Sequence, residues 1–188
     1  MSWLAYVDES IRTDDGVYVL AAVALDAADG ESVRDAVCTL LPTRGGPRFH
    51  WRDERRASRL AAAALVAAQP ALLVVVIGTP VQPDRQERAR RHCLGALLFE
   101  LATAGVDEVW LESRNQVSDR RDLDVIGGFR VRGMLPPELR IGHARPGEEP
   151  LLWAADIVAG AISAAEGHEG AYRELVEGTL AEIRIRLG

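Results

Sequence analysis

The apolar and polar positions of this chain alternate between strand-like and helix-like segments along its whole length. Short runs rich in β-branched residues predict strands, and longer stretches with apolar residues three or four positions apart predict helices. The predicted strands are residues 3–7, 17–25, 48–51, 71–77, 106–112 and 139–143. The predicted helices are residues 31–41, 53–69, 84–104, 151–165 and 172–187, and the polar segment 115–133 is partly helical.

The order of these elements predicts one mixed β-sheet with helices on both faces. The first two strands are joined by a polar turn at residues 10–16, which favours an antiparallel hairpin. The later strands alternate with helices, as parallel strands require. Residues 71–77 are apolar throughout and therefore predict a strand that is covered on both faces. We expect a single α/β domain that covers residues 1–188.

Composition limits the class of protein. Hydrophobic residues make up 48% of the chain, which excludes a disordered protein. The longest apolar run, residues 71–78, is too short to span a bilayer, so we expect no membrane partner. The N-terminal segment lacks the basic region of a signal peptide, and a cytoplasmic location is expected. Cys38 and Cys93 show no metal-ligand spacing and are interpreted as core thiols.

The net charge of −6 argues against a protein that coats DNA through a uniformly basic surface. All 22 basic residues are arginine. A nuclease remains compatible with this balance, because its acids are concentrated in one site and its arginines can cluster elsewhere. Assembly of the chain as a homo-oligomer is left open.

Three acidic residues lie within apolar sequence, where an unpaired carboxylate is costly. Asp8, followed by Glu9, ends the first predicted strand, Glu112 ends the strand 106–112, and Asp156 interrupts an apolar helix. Acids from separate elements that converge on one point can hold Mg²⁺ or Mn²⁺ for phosphodiester cleavage. Successive strand residues face opposite ways, so Asp8 is preferred over Glu9 as the ligand. The alternative is that each acid is a turn former or an ion-pair partner, with Arg114 available to Glu112.

Basic and histidine side chains supply two further candidates. Arg52, Arg55, Arg56 and Arg59 have the spacing of one helix face, which could track phosphates or could simply be solvated. His50 lies between two aromatic residues, and is either a general acid/base, a ligand or a packed histidine.

Two end motifs make the chain resemble a known family. Tyr6–Ser10 (YVDES) and Ala154–Gly160 (AADIVAG), the latter preceded by Pro150, are similar to the motifs of the domain of unknown function 3800 family. Arg48–Trp51 and Val109–Arg114 stand where its middle motifs would. The resemblance implies a ribonuclease H-like fold, with Asp8, Glu112 and Asp156 as metal carboxylates and His50 nearby.

The sequence departs from that pattern at two positions. Arg48 stands where such proteins often carry an acid, and the strand 71–77 leads into Thr79-Pro80, where ribonuclease H has an aspartate. Glu9 or Glu54 is then the substitute for a fourth ligand.

These observations predict a Mg²⁺- or Mn²⁺-dependent nuclease that hydrolyses RNA or DNA. Its nucleic-acid-binding residues are the four arginines of the 52–59 segment together with Arg114. The alternative is a non-catalytic domain that binds nucleic acid or protein and keeps a degenerate site.

Overall fold

The computed structural model describes residues 1–41 and 48–188. Within these residues the strands are β1 (Trp3–Arg12), β2 (Val17–Asp26), β3 (Ala71–Thr79), β4 (Glu108–Glu112), β5 (Arg140–Ala144) and β6 (Leu180–Arg186). The α-helices in the described part of the chain are α1 (Gly30–Cys38), α2 (Arg56–Ala67), α3 (Gln86–Thr103), α4 (Gln116–Val131), α5 (Leu151–Glu166) and α6 (Ala171–Val176). Short 3₁₀ turns at Ala27–Asp29, Trp51–Asp53, Pro83–Arg85 and Glu177–Thr179 join some of them.

All six strands form one mixed sheet in the order β5-β4-β1-β2-β3-β6. β2 pairs antiparallel with both β1 and β3, so the predicted hairpin is confirmed. The pairs β1–β4, β4–β5 and β3–β6 are parallel. The α/β class with a mixed sheet, predicted from the order of elements, is therefore correct.

Helices cover both faces of the sheet, as expected from the alternating pattern. Tyr6 lies in the core beneath α1, α2, α5 and α6, whereas its neighbours Ala5 and Val7 lie in the core beneath α3 and α4. We name these the α5 face and the α3 face of the sheet. The apolar strand β3 contributes alternate residues to both cores, as predicted. Within residues 1–41 and 48–188, no helix is long and apolar enough to cross a bilayer.

The first strand is longer than its apolar run predicts. The predicted end at residue 7 and the predicted turn at residues 10–16 are wrong, because β1 continues to Arg12 and remains paired with β2. Its pairing with β4, however, stops at Val7 opposite Leu111. Asp8 therefore lies inside the hairpin but at the end of the β1–β4 ladder, where a gap between parallel strands opens.

Some predicted helix starts and one predicted strand are wrong. Residues 48–51 form no strand, and Trp51–Asp53 is a 3₁₀ turn. Asp53 and Asp84 cap no α-helix, since Arg55 and Arg85 occupy the N-cap positions of α2 and α3. The clearest cap lies in the segment expected to be only partly helical: Asn115 accepts a hydrogen bond from the Ser118 amide at 3.0 Å, and α4 follows.

The predicted final helix, residues 172–187, is wrong in its second half. α6 ends at Val176, and β6 follows after a 3₁₀ turn. In β6, Ile183 and Ile185 alternate with Glu182 and Arg184, which is a strand period. β6 pairs in parallel with β3 over Leu73–Thr79 and so covers an apolar strand edge.

Candidate metal and nuclease site

Strand register brings Asp8 and Glu112 together. β1 and β4 are paired in parallel up to Val7 and Leu111, and Asp8 and Glu112 are the next residues on each strand. Neighbouring strands lie about 4.8 Å apart. Asp8 shares its strand face with Tyr6, and Glu112 shares its face with Trp110, which also packs in the α5 core. Both carboxylates therefore lie on the α5 face.

Helix α5 supplies the third carboxylate. α5 packs against β1 and β2, and Asp156 lies in its first half, with a side chain that is 13% exposed. One oxygen, Oδ2, accepts a hydrogen bond from the Trp51 amide at 2.7 Å and lies 3.1 Å from His50 Nδ1. We name Asp8, Glu112 and Asp156 the carboxylate group.

The three charges act on one another. Removal from water raises the pKa of Asp8 well above its usual value, and the negative charges of Glu112 and Asp156 raise it further. Removal from water also raises the pKa of Glu112, although a hydrogen bond with Asp8 opposes that shift. Mutual repulsion of this kind indicates a group of carboxylates that a cation would relieve.

The donor set suits a hard divalent cation, because all three ligands offered are carboxylate oxygens. The spacing does not form a ready-made cage: in the described part of the chain, no cluster of three or more His, Cys, Asp or Glu side chains is close enough to hold a metal ion. A bound ion would therefore have to draw the carboxylates closer or keep some of its water.

His50 lies at the border of the carboxylate group. Its side chain is 37% exposed, and its pKa is raised, chiefly by the hydrogen bond with Asp156. The sequence allowed a packed histidine, a ligand or an acid/base. The structure places the imidazole beside a carboxylate and open to solvent, where a proton can enter or leave.

Glu9 does not join the carboxylate group. It follows Asp8 on the strand and so points to the α3 face, where its carboxylate contacts the Tyr18 hydroxyl and lies 2.6 Å from Arg90 Nη1. The suggestion that Glu9 is a metal ligand therefore finds no support in the structure. Glu54, the other substitute, ends the Trp51–Asp53 turn.

Arg48 is the partner of Glu112 that the sequence did not reveal. Its Nη1 lies 3.8 Å from Glu112 Oε1. The suggested partner, Arg114, instead lies 2.7 Å from Glu87 and 3.4 Å from Asp122. Arg48 therefore places a positive charge against the carboxylate group.

The predicted arginine stripe is only partly a helix face. Arg52 and Arg55 precede α2, which begins at Arg56. Arg56 lies 3.7 Å from Glu169. Arg59 turns back towards the preceding turn, where its Nε donates to the Trp51 carbonyl at 3.0 Å. Arg114 belongs to the ion pairs of the α3 face.

Sequence reasoning missed a buried ion network on the α3 face. Arg90, 4% exposed, donates two hydrogen bonds from Nε and Nη2 to Asp122, at 2.9 and 2.8 Å. His143 Nε2 lies 3.3 Å from the same carboxylate. The available signal was an arginine in α3 three residues before the buried Cys93, where a helix facing a core should be apolar.

Comparison with protein-family models finds no match for this chain, and comparison with curated proteins finds none either. Among solved structures, the chain is similar to one in the structure of the PCNA:RNase HII complex from Archaeoglobus fulgidus, with a TM-score of 0.51 and 16% sequence identity. The match covers 93% of this chain and 87% of that chain. At this identity the likeness establishes the fold alone. The chain has a ribonuclease H-like fold.

Proposed function

We propose that this protein is a metal-dependent nuclease that hydrolyses phosphodiester bonds of RNA or DNA, and that it belongs to the domain of unknown function 3800 family. One observation carries the proposal: Asp8, Glu112 and Asp156 come from β1, β4 and α5, lie on the same face of a ribonuclease H-like sheet and repel one another. Three carboxylates that repel one another cost stability, and a bound cation would offset that cost.

The residues of the proposed site have different roles in the reaction. Asp8 and Glu112 offer oxygens from the rigid end of a parallel strand pair, and Asp156 is oriented by the Trp51 amide. A bound Mg²⁺ or Mn²⁺ would activate water and stabilise the leaving oxygen. His50, whose pKa is raised and whose ring reaches solvent, would then deliver a proton to that leaving oxygen.

The test is cleavage of labelled RNA, DNA and RNA–DNA hybrid with Mn²⁺ or Mg²⁺. Asp8→Asn should lower the rate at least about 100-fold, since even partners outside the ligand shell are worth about 10–100-fold. Asp35→Asn, a change to an exposed acid of α1, is the matched control and should cleave like wild type. Equal rates for wild type and Asp8→Asn would end the proposal.

Thermal unfolding gives a readout that does not depend on activity. In EDTA, Asp8→Asn should stabilise the protein by about 1 kcal/mol, because it removes a repelling charge and keeps an oxygen for the Glu9 amide, which donates to Asp8 Oδ1 at 2.7 Å. Millimolar Mn²⁺ should raise the Tm of wild type and not that of Asp8→Asn. A wild-type Tm indifferent to Mn²⁺ would contradict the metal site.

One observation favours a second candidate, a non-catalytic domain that binds nucleic acid. Arg48 offsets the charge of Glu112 without any metal. In that case nucleic acid binds with equal affinity in EDTA and Mn²⁺, and no cleavage is seen. Arg48→Ala separates the two candidates: it should strengthen the Mn²⁺ effect on Tm if the carboxylate group holds an ion, and leave it absent otherwise.

A further inference from the structure

A cavity of ≈ 310 Å³ lies between β1, the Trp51 turn and α5, next to the carboxylate group but not lined by it. Ser10 and Arg12 follow Asp8 at two-residue steps on β1 and so share its face. Gly160 and Ser163 follow Asp156 at helical steps on α5. The cavity is therefore the continuation of the carboxylate group along the same two elements.

The lining of this cavity is cationic. Arg12, Arg52 and Arg59 line it, against one acid, Glu169. The Glu169 carboxylate accepts a hydrogen bond from the Tyr172 hydroxyl at 2.9 Å and lies 3.7 Å from Arg56. Arg12 is paired with Asp15 at 2.5 Å. Polar hydroxyl groups from Ser10 and Ser163 complete the wall.

Arg59 is held in place without losing its charge. Its Nε donates to the Trp51 carbonyl at 3.0 Å and its Nη2 to the Arg52 carbonyl at 3.1 Å. The guanidinium also lies 5.2 Å from the centre of the Trp51 ring. Neutral carbonyls and an aromatic face fix the side chain but do not neutralise it, so its charge remains available to an anion.

A single residue links this cation to the carboxylate group. The Trp51 amide donates to Asp156 Oδ2 at 2.7 Å, while the Trp51 carbonyl accepts from Arg59. Because the amide and carbonyl of one residue are a few ångströms apart, Arg59 Nε and Asp156 lie within roughly 10 Å of each other. That separation is within reach of neighbouring phosphates on one strand.

We propose that this cavity binds a phosphate group of a nucleic-acid strand, one or two nucleotides from the phosphodiester held at the carboxylate group. The inference rests on the proposed function, and it identifies a phosphate group through which the protein positions the substrate strand. Guanidinium groups match phosphate oxygens in a bidentate geometry, and serine hydroxyls add further donors. Arg12 is a phosphate-binding candidate in this cavity that no sequence pattern indicated.

The experiment measures the affinity for a labelled single-stranded oligonucleotide of about 12 nucleotides, RNA and DNA in turn, across a salt series in EDTA. Arg12→Ala and Arg59→Ala are compared with Arg140→Ala. Arg140 is 65% exposed and paired with Glu108 at the opposite end of the β4–β5 ladder. Each variant removes one positive charge, so general electrostatics are matched.

Each cavity variant should weaken binding about 3–10-fold and lower the salt slope by about 0.7, the value of one phosphate contact on a single strand. Arg140→Ala should keep the wild-type slope. Equal slopes in all variants would overturn the proposal. Arg59→Ala also removes bonds that hold the Trp51 turn, whereas Arg12→Ala leaves them intact, so the test survives a folding defect in the former.

Two further arms separate the possible failures. If a nucleoside monophosphate competes as strongly as the oligonucleotide, the proposal that the cavity binds a nucleic-acid strand is wrong, and the cavity binds a free nucleotide instead. Cleavage with Mn²⁺ is scored separately on the same oligonucleotide. Cavity-dependent binding without cleavage refutes the nuclease and supports the cavity, whereas cleavage with cavity variants that bind like wild type refutes the cavity alone.

Discussion

At the scale of single residues, two carboxyl groups on opposite faces of the sheet, Asp8 of β1 and Asp122 of α4, have pKa values shifted in opposite directions. Removal from water raises the pKa of Asp8, the negative charges of Glu112 and Asp156 raise it further, and both effects cost stability. Asp122 lies on the α3 face, where burial alone would raise its pKa, but hydrogen bonds from His143 and Arg90 lower it to about 2. The repelling charges around Asp8 are an arrangement that a bound cation would stabilise. The hydrogen bonds to Asp122 are an arrangement that stabilises the fold.

The pH dependence of stability follows from Asp122. Its pKa is lower in the folded protein than the ordinary 3.8, so its contribution is present above about pH 4 and is lost as the pH falls towards 2. That contribution is about 2 kcal/mol. Asp122→Asn has no ionisable group at this position and should therefore lack this stabilisation throughout the pH range. The variant should be destabilised further because the buried Arg90 loses this ion-pair partner.

The measurement is urea unfolding of wild type and Asp122→Asn between about pH 2 and pH 7. The difference between the two proteins should be largest at neutral pH and shrink in acid. Asp8 and Glu112 have raised pKa values, so their protonation at low pH stabilises the folded protein. This effect is the same in both proteins and cancels when their free energies of unfolding are subtracted. A difference that stays constant with pH would rule out the ionised Asp122 as an anchor.

The sequence identifies the carboxylate group because acids in apolar surroundings are conspicuous. It also favours Asp8 over Glu9, since alternation along a strand decides which of two adjacent side chains faces α5. The sequence does not reveal the Arg48–Glu112 pair, because the two residues lie far apart along the chain. Long-range partners of this kind have no local pattern.

At the scale of elements, the site depends on how closely α5 approaches the Trp51 turn. A β-carbon on Gly160 would overlap the Trp51 ring, which is packed in the core and cannot swing away. The same turn carries the amide that holds Asp156. Glycine at this position therefore sets the distance between helix and turn.

We expect Gly160→Ala to destabilise the protein by about 1–2 kcal/mol, because overpacking outweighs the better helix propensity of alanine. It should also reduce the rise in Tm caused by Mn²⁺, since Trp51 and Asp156 shift apart. Gly127→Ala on α4 is the control: a β-carbon there meets nothing within 4 Å, so it should stabilise by about 0.5–1 kcal/mol. Unfolding with and without Mn²⁺ measures both effects, and equal stability of the two variants would refute the close-approach argument.

Elements with a strong local period were predictable, and those defined by their partners were not. The hairpin, β3 and α5 follow from runs of apolar residues. β6 was mistaken for helix because its few apolar residues continue the pattern of α6, and only its pairing with β3 makes it a strand. The length of β1 beyond Val7 likewise comes from β2 and not from its own composition.

At the scale of the whole molecule, the fold brings together positively charged side chains that the net charge of the chain does not indicate. The chain carries a net charge of −6, yet the cavity beside the carboxylate group is lined by three arginines and one glutamate. The parallel pair β1–β4 places two acids at one end, and α5 crosses that end with the third. The ribonuclease H-like arrangement of strands thus gathers three carboxylates that no single segment contains.

The last strand closes the sheet, and its loss should change the state of the whole molecule. β6 pairs with β3 from Leu73 to Thr79, and Leu187 packs beside Gly78. Ending the chain after Thr179 removes on the order of 4 kcal/mol of half-buried aliphatic contacts. It also exposes the backbone of an apolar strand, which is a template for pairing with a second chain.

We therefore expect this truncated protein to melt at a lower temperature and to associate with rising concentration, as measured by sedimentation velocity. Arg184→Ala is the control, because it breaks the ion pairs of β6 with Glu166 and Glu182 but leaves the strand in place. If Arg184→Ala associates as strongly as the truncation, the ion pairs and not the backbone ladder protect the edge. If the truncated chain keeps the oligomeric state and Tm of the full chain, β6 is dispensable, and the sheet that positions the carboxylate group is complete with five strands.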